Sequence, residues 1–217
     1  MSHKKFHNQL KSLKKDVLKM GQLAKEMLKR SISALKTRDP SLADWVLSKK
    51  KEIAEMDNNI EKSALSLVTL YQPMAEDMRT IACILKMITY LTRIGRYGKN
   101  IANIAKELSP KPQIGKLVSI PYMAEIVDRM LDDVLEVFES GDLSKIKDFK
   151  ERDDTLDALR WSIFRESLTY MMENPKNITP CAHYMMVARY LERCGDHACK
   201  IAEKIHYMIT GERVEIK

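Results

Sequence analysis

Four acids in the second half of the chain have spacing that can do chemistry. Asp153 and Asp157 are four residues apart, and so are Glu192 and Asp196. On a helix such a pair shares one face, with Cβ atoms about 5–6 Å apart. Two carboxylates at about 5 Å repel by roughly 3 kcal/mol at an effective dielectric of 20. If both pairs face one groove, protonation or a cation has to relieve them. Carboxylate oxygens from adjacent helices suit hard or borderline cations: iron, manganese, magnesium, calcium, or zinc with part carboxylate ligation. Asp133 is a further acid at the same level. His197 follows Asp196 directly and lies about 100° around the helix, outside this set. The same acids, with Arg160, Arg165, Arg189 and Arg193 nearby, also read as a solvated, salt-bridged face. Spacing alone leaves both readings open.

The elements that must carry these residues are helices. Ala, Leu, Lys, Glu, Met and Arg dominate the chain, and glycine and proline number seven each in 217 residues, too few for an all-β fold. Breaks at Asp39-Pro40, Pro73, Ser109-Pro110-Lys111-Pro112-Gln113 with Gly115, Ser140-Gly141-Asp142, Asn174-Pro175, Thr179-Pro180 and Gly211 predict six segments, at about 6–37, 40–70, 74–108, 117–140, 143–172 and 179–210. The third and sixth carry wide apolar stripes at helical period, such as Ile81, Ile84, Ile88 and Leu91, or Val187, Leu191, Cys194 and Ile201.

These segments repeat. LTRIGRYGKNIA (91–102) aligns with LERCGDHACKIA (191–202) at an offset of 100. At an offset of 103, Met20, Leu28, Leu35, Asp39 and Ile53 fall on Met123, Leu131, Phe138, Asp142 and Leu156. Agreement over three helices in one order predicts an all-α fold of two tandem three-helix bundles, residues 1–112 and 113–217.

Charge divides unevenly. Residues 1–110 hold 21 Lys+Arg against 11 Asp+Glu, within a chain of net charge +7. A basic half steers toward acidic partners, membrane surfaces or nucleic acid, so a helical nucleic-acid or membrane-surface binder is the competing reading. It lacks a recognition-helix motif, and aromatics are only 6% of the chain. No apolar run is long enough to span a membrane, and the polar, basic start MSHKKFHNQLKSLKK lacks a signal-like apolar region. Cys83, Cys181, Cys194 and Cys199 show no zinc spacing, so buried reduced thiols and a cytoplasmic location are expected. No nucleophile–base pair or glycine-rich phosphate loop is visible, so catalysis is not expected.

The segments LERCGDHACKIAE (191–203), DDTLD (153–157), YQPMAEDMR (71–79), LTYMMENP (168–175) and KMG (19–21) resemble the PhoU family, in that family's order and over about residues 6–211. The resemblance implies two three-helix bundles side by side. It also implies a cytoplasmic negative regulator of phosphate uptake and homeostasis. Such a protein acts on the ATPase subunit of the phosphate ABC transporter and, where present, on a membrane sensor histidine kinase, and is a homodimer in parts of the family. It implies, further, multinuclear iron or zinc held by acidic elements that map onto Asp153, Asp157, Glu192 and Asp196, with Asp133 as an additional acid. The first repeat departs from that pattern. Its corresponding positions are Arg30, Lys50, Ala54, Thr92 and Arg96, which offer no anionic ligand. A metal cluster is therefore expected on the second repeat only. Arg30, Lys50 and Arg96 could converge on phosphate, a phosphorylated partner or an acidic loop, or could pair with Glu26, Glu52, Glu55 or Asp57. Gly98, where the second repeat has Ala198, offers close approach to a partner backbone.

Overall fold

The computed structural model describes residues 2–111, 114 and 119–216. Its α-helices are α1 (Ser2–Thr37), α2 (Pro40–Ser48), α3 (Lys50–Tyr71), α4 (Ala75–Leu108), α5 (Ser119–Ser140), α6 (Phe149–Glu173) and α7 (Ile178–Thr210). No strand occurs among the described residues. The expected boundary at 112/113, and Pro112, Gln113 and Gly115 of the linker, lie outside them.

Two expected helices are broken. The 40–70 segment divides at Lys49, whose backbone (φ −81°, ψ −6°) turns back to Val46 and Leu47 before α3 begins. In the second repeat the same stretch opens with a 3₁₀ turn, Leu143–Ile146, before α6. Neither break carries a proline or glycine, so no sequence signal marks it. The entries to these segments do follow the repeat. Asp39 accepts from the Ser41 amide at 2.8 Å and caps α2, with Pro40 in its first turn. Asp142 accepts from Ser144 at 3.0 Å in the same way. Before each cap the backbone is left-handed, at Arg38 (φ 59°) and at Gly141 (φ 80°). Glycine adopts that conformation freely, whereas Arg38 is strained there. Its guanidinium donates to the Lys111 carbonyl, and Ser109 Oγ donates to its own carbonyl, which hold the strained turn against the end of α4.

Each bundle is built on a close crossing. Gly95 makes room for Ile53, whose Cδ1 lies 2.5 Å from where a Cβ would stand; Gly195 does the same for Leu156, at 2.4 Å. A Cβ on Gly98 would stand 3.0 Å from the backbone of Met27 and Leu28, so the backbone that Gly98 admits is that of α1.

The bundles join along α1 with α5 and α4 with α7, both antiparallel. Gly21 accepts the Leu135 side chain, and Lys25 pairs with Asp132 and, at 3.7 Å, with Asp128. Between α4 and α7, Tyr97 stacks on Tyr190 (5.4 Å) and on His197 (5.8 Å), and Tyr90 meets His197 at 5.4 Å. Lys25 and Asp128 are equivalent positions of the two repeats, as are Tyr97 and His197. Contacts between equivalents place a pseudo-twofold axis through this joint. One continuous apolar core, from Phe6 to Met208, runs through both bundles. The four cysteines are buried thiols, and burial pushes Cys83 up to about 12. No helix of the described residues is long and apolar enough to cross a membrane.

Candidate metal face and its first-repeat counterpart

The acids of α6 and α7 meet over the Gly195 notch. Asp153, one turn before Leu156, is 2% exposed, and its Oδ1 lies 3.6 Å from where a Gly195 Cβ would stand. Asp157 follows one turn along α6 and is half-buried. Glu192 is 5% exposed on α7, with Asp196 one turn beyond it. The two pairs therefore lie along one α6–α7 seam.

Arginines surround them. Arg189 donates to Glu192 at 2.7 Å, Arg160 lies 3.9 Å from the same oxygen, and Arg193 reaches Asp196 at 2.9 Å and Glu192 Oε2 at 3.7 Å. Glu192 Oε2 is buried and accepts no hydrogen bond. Burial, and then the Asp196 charge, hold the Glu192 carboxyl above its ordinary range despite the three arginines. Among the described residues no three His, Cys, Asp or Glu side chains stand together ready to hold a metal ion. The oxygen donors thus have the chemistry of a hard-cation site, while guanidinium groups supply its counter-charge.

Asp133 has different company. Its carboxylate accepts from Arg152 at 2.6 Å, and Arg152 is shared with Asp148 at 2.9 Å. Spacing does not reveal this competition, because in sequence Arg152 looks like any exposed helix cation.

The first-repeat seam keeps the scaffold and changes the charges. Arg30 pairs with Glu26 at 2.5 Å and lies over the Trp45 ring at 4.1 Å, with Lys49 over the same ring at 5.3 Å. Lys50 and Arg96 are exposed. Asp57 occupies the position of Arg160, and Thr92 that of Glu192. Burial raises the Asp57 carboxyl, offset in part by the Thr92 hydroxyl. Trp45 as a stacking platform was invisible as such in the sequence, since it reads as an ordinary apolar position of α2.

His197 lies outside the acidic group and points into the joint between the bundles. It is 8% exposed with Nε2 buried and unbonded, and burial, with the charge of Arg93, lowers its pKa to about 4.

Comparison with known proteins gives one consistent result. The PhoU domain family model matches residues 17–105 and again 120–205. The chain is 39% identical over 207 residues to the phosphate-specific transport system accessory protein PhoU homolog of Rhizobium meliloti (strain 1021), covering 95% of this chain and 87% of that protein. It is 37% identical to the corresponding protein of Caulobacter vibrioides (strain NA1000 / CB15N), over 97% of this chain and 92% of that one. The crystal structure of PhoU from Pseudomonas aeruginosa superposes with a TM-score of 0.91 at 30% identity, covering 95% of this chain and all of that one. With both bundles matched separately and nearly the full length aligned, this chain belongs to the PhoU family.

Proposed function

We propose that this chain is an accessory protein of a phosphate-specific transport system, a negative regulator of phosphate uptake that works by binding rather than by catalysis. The observation that carries this reading is the match to phosphate-specific transport system accessory proteins over nearly the whole length of both partners. Its partner in this reading is the ATPase subunit of the phosphate ABC transporter, with a sensor histidine kinase as a second one, in the cytoplasm. Retention of the transporter ATPase on the immobilised protein at low salt is the test. Failure to retain it, with the protein folded, removes the adaptor reading.

The same face is proposed to hold a cation, iron or zinc, on the second repeat only. Asp153, Asp157, Glu192 and Asp196 would supply the oxygens, and the orphaned Glu192 Oε2 supports that assignment. A bound cation would supply the positive charge that now comes from arginine. Arg189 and Arg193 have side chains 38% and 44% exposed, so both have room to swing outward and release the carboxylates. Asp133 takes part only if Arg152 lets go of it. Elemental analysis of the protein beside a variant with all four acids changed to Ala is the test. Equal metal content in both removes the site. The protein is further proposed to act as a homodimer.

A further inference from the structure

Four arginines flank the joint between the bundles on one side of the molecule. Turning outward from the joint, α4 carries Tyr97, Arg93 and then Arg96 before its own seam, and α7 carries His197, Arg193 and then Arg189. The pseudo-twofold axis exchanges these antiparallel helices, so it runs perpendicular to both, and the two series open on the same side. Tyr97 opposite Tyr190 and Tyr90 opposite His197 set the register, which puts Arg93 within a turn of Arg193 and Arg96 within a turn of Arg189. Burial first, then Arg93, and also Arg193, lower the pKa of His197, so both guanidinium groups stand near that ring.

The two halves of this quartet differ in what they touch. Arg93 and Arg96 are exposed and enter no ion pair among the described residues. Arg189 is held by Glu192 at 2.7 Å and Arg193 by Asp196 at 2.9 Å, the acids proposed above to hold a cation. A cation drawing on those oxygens competes with both guanidinium groups. The arginine side chains are 38% and 44% exposed, against 6% and 12% for Glu192 and Asp196, so the arginines are the partners with room to move.

We infer that this α4–α7 face binds an acidic segment of a partner protein, cooperatively with a cation on the second-repeat seam: Arg189 and Arg193, released from Glu192 and Asp196, join Arg93 and Arg96 in one cluster of free guanidinium groups. The inference rests on the cation site proposed above and names the chemistry of the partner and its regulation. Three features fix the class of partner. Guanidinium forks match carboxylates two bonds at a time. Arginines a turn apart on two helices spread the charge over roughly 10 Å or more, wider than one small anion spans, so the ligand is an extended segment with several acids. Tyr97 stacks on Tyr190 and on His197, so the rings of this joint face each other rather than nucleic-acid bases. Cation and acidic segment each relieve what opposes the other, so each tightens the other by the same factor.

Fluorescence anisotropy of a labelled peptide of alternating Glu and Ser, titrated with the protein at low salt with and without zinc(II), tests this. Zinc is expected to tighten the peptide about fivefold or more. Arg189→Gln with Arg193→Gln is expected to remove that gain, while zinc itself, followed by calorimetry, binds about tenfold tighter because two competitors are gone. Opposite movement of the two affinities is not what a damaged fold would give. Glu192→Gln with Asp196→Asn is expected to bind the peptide without zinc as tightly as the zinc-loaded wild type does, and to ignore zinc. A wild type that binds no zinc removes the cation site and the coupling with it. If zinc binds and leaves the peptide affinity unmoved, or if the double arginine variant keeps the gain because the peptide bridges to the metal, the inference is overturned and the cation site stands. A single-stranded oligonucleotide of equal charge held more tightly than the peptide overturns the partner class.

Discussion

At the α6–α7 seam a buried glutamate, Glu192, sits among three arginines; at the α3–α4 seam the same position is Thr92, beside Asp57 where the other repeat has Arg160. The backbones still agree, because what the crossing needs is apolar: Gly95 with Ile53 in one bundle, Gly195 with Leu156 in the other. Polar residues around that notch can reverse sign without moving a helix. At the joint between bundles, divergence is itself structural. A strict repeat would oppose two like charges across the axis, whereas Lys25 now faces Asp128.

The first way to break the comparison is at the helix crossing where the repeats differ. Gly98→Leu forces a side chain into the backbone of Met27 and Leu28. It is expected to cost about 3 kcal/mol or more in chemical denaturation. Gly98→Ala is expected to cost about 1–3 kcal/mol, and the reverse change, Ala198→Gly, about 1 kcal/mol. Equal tolerance of Leu at 98 and 198 would show that the two crossings do not differ.

Acid should separate the repeats next, measured with a chelator present. His197 is held neutral by burial, at about 4 against an ordinary 6.5. A folded-state value below the unfolded one means that the unfolded chain takes up the proton first. The stability from this group is present above about pH 6.5 and is lost as pH falls toward 4, by up to about 3 kcal/mol. Its first-repeat equivalent, Tyr97, carries no imidazole. His197→Phe should therefore flatten the stability profile between pH 7 and 4.5; an unchanged slope assigns acid sensitivity elsewhere.

A smaller effect tests the buried glutamate. Its raised carboxyl means that the fold favours the protonated form. Without metal, Glu192→Gln is expected to leave stability at pH 7 unchanged or up by roughly 1 kcal/mol, while removing any stabilisation by added cation. Loss of several kcal/mol in thermal melts would instead show that the arginine pairs dominate. The smallest change is Arg30→Ala, which removes an ion pair and the stacking on Trp45, at about 0.5–1 kcal/mol. Thermal melts resolve it.

Much of the fold was legible. Helical period, breaks such as Asp39-Pro40 and Ser140-Gly141-Asp142, and the two offsets placed six segments and paired their residues, since apolar spacing and chain punctuation are local. The breaks at Lys49 and before α6 were not, because neither carries a proline or glycine. Of the candidate site, the sequence paired Asp153 with Asp157 and Glu192 with Asp196, each pair on one helix face, and left open whether the two faces meet. It did not tell which arginine each acid meets, nor that Asp133 is tied to Arg152. The aromatic set Tyr90, Tyr97, Tyr190 and His197 had a signal that was there to use. These residues are two equivalent pairs at the offset of 100, and equivalents near an axis meet.

By itself the sequence determined helix, repeat and the sign of each repeat's polar positions, because side-chain type and spacing are written along one dimension. Only the tertiary structure decided partners. Gly98 admits the chain's own α1, Arg30 turns to Glu26 and Trp45, and α6 keeps a second apolar face outward. Ion pairing and burial depend on distances between helices, and those distances are set by packing that no single segment encodes.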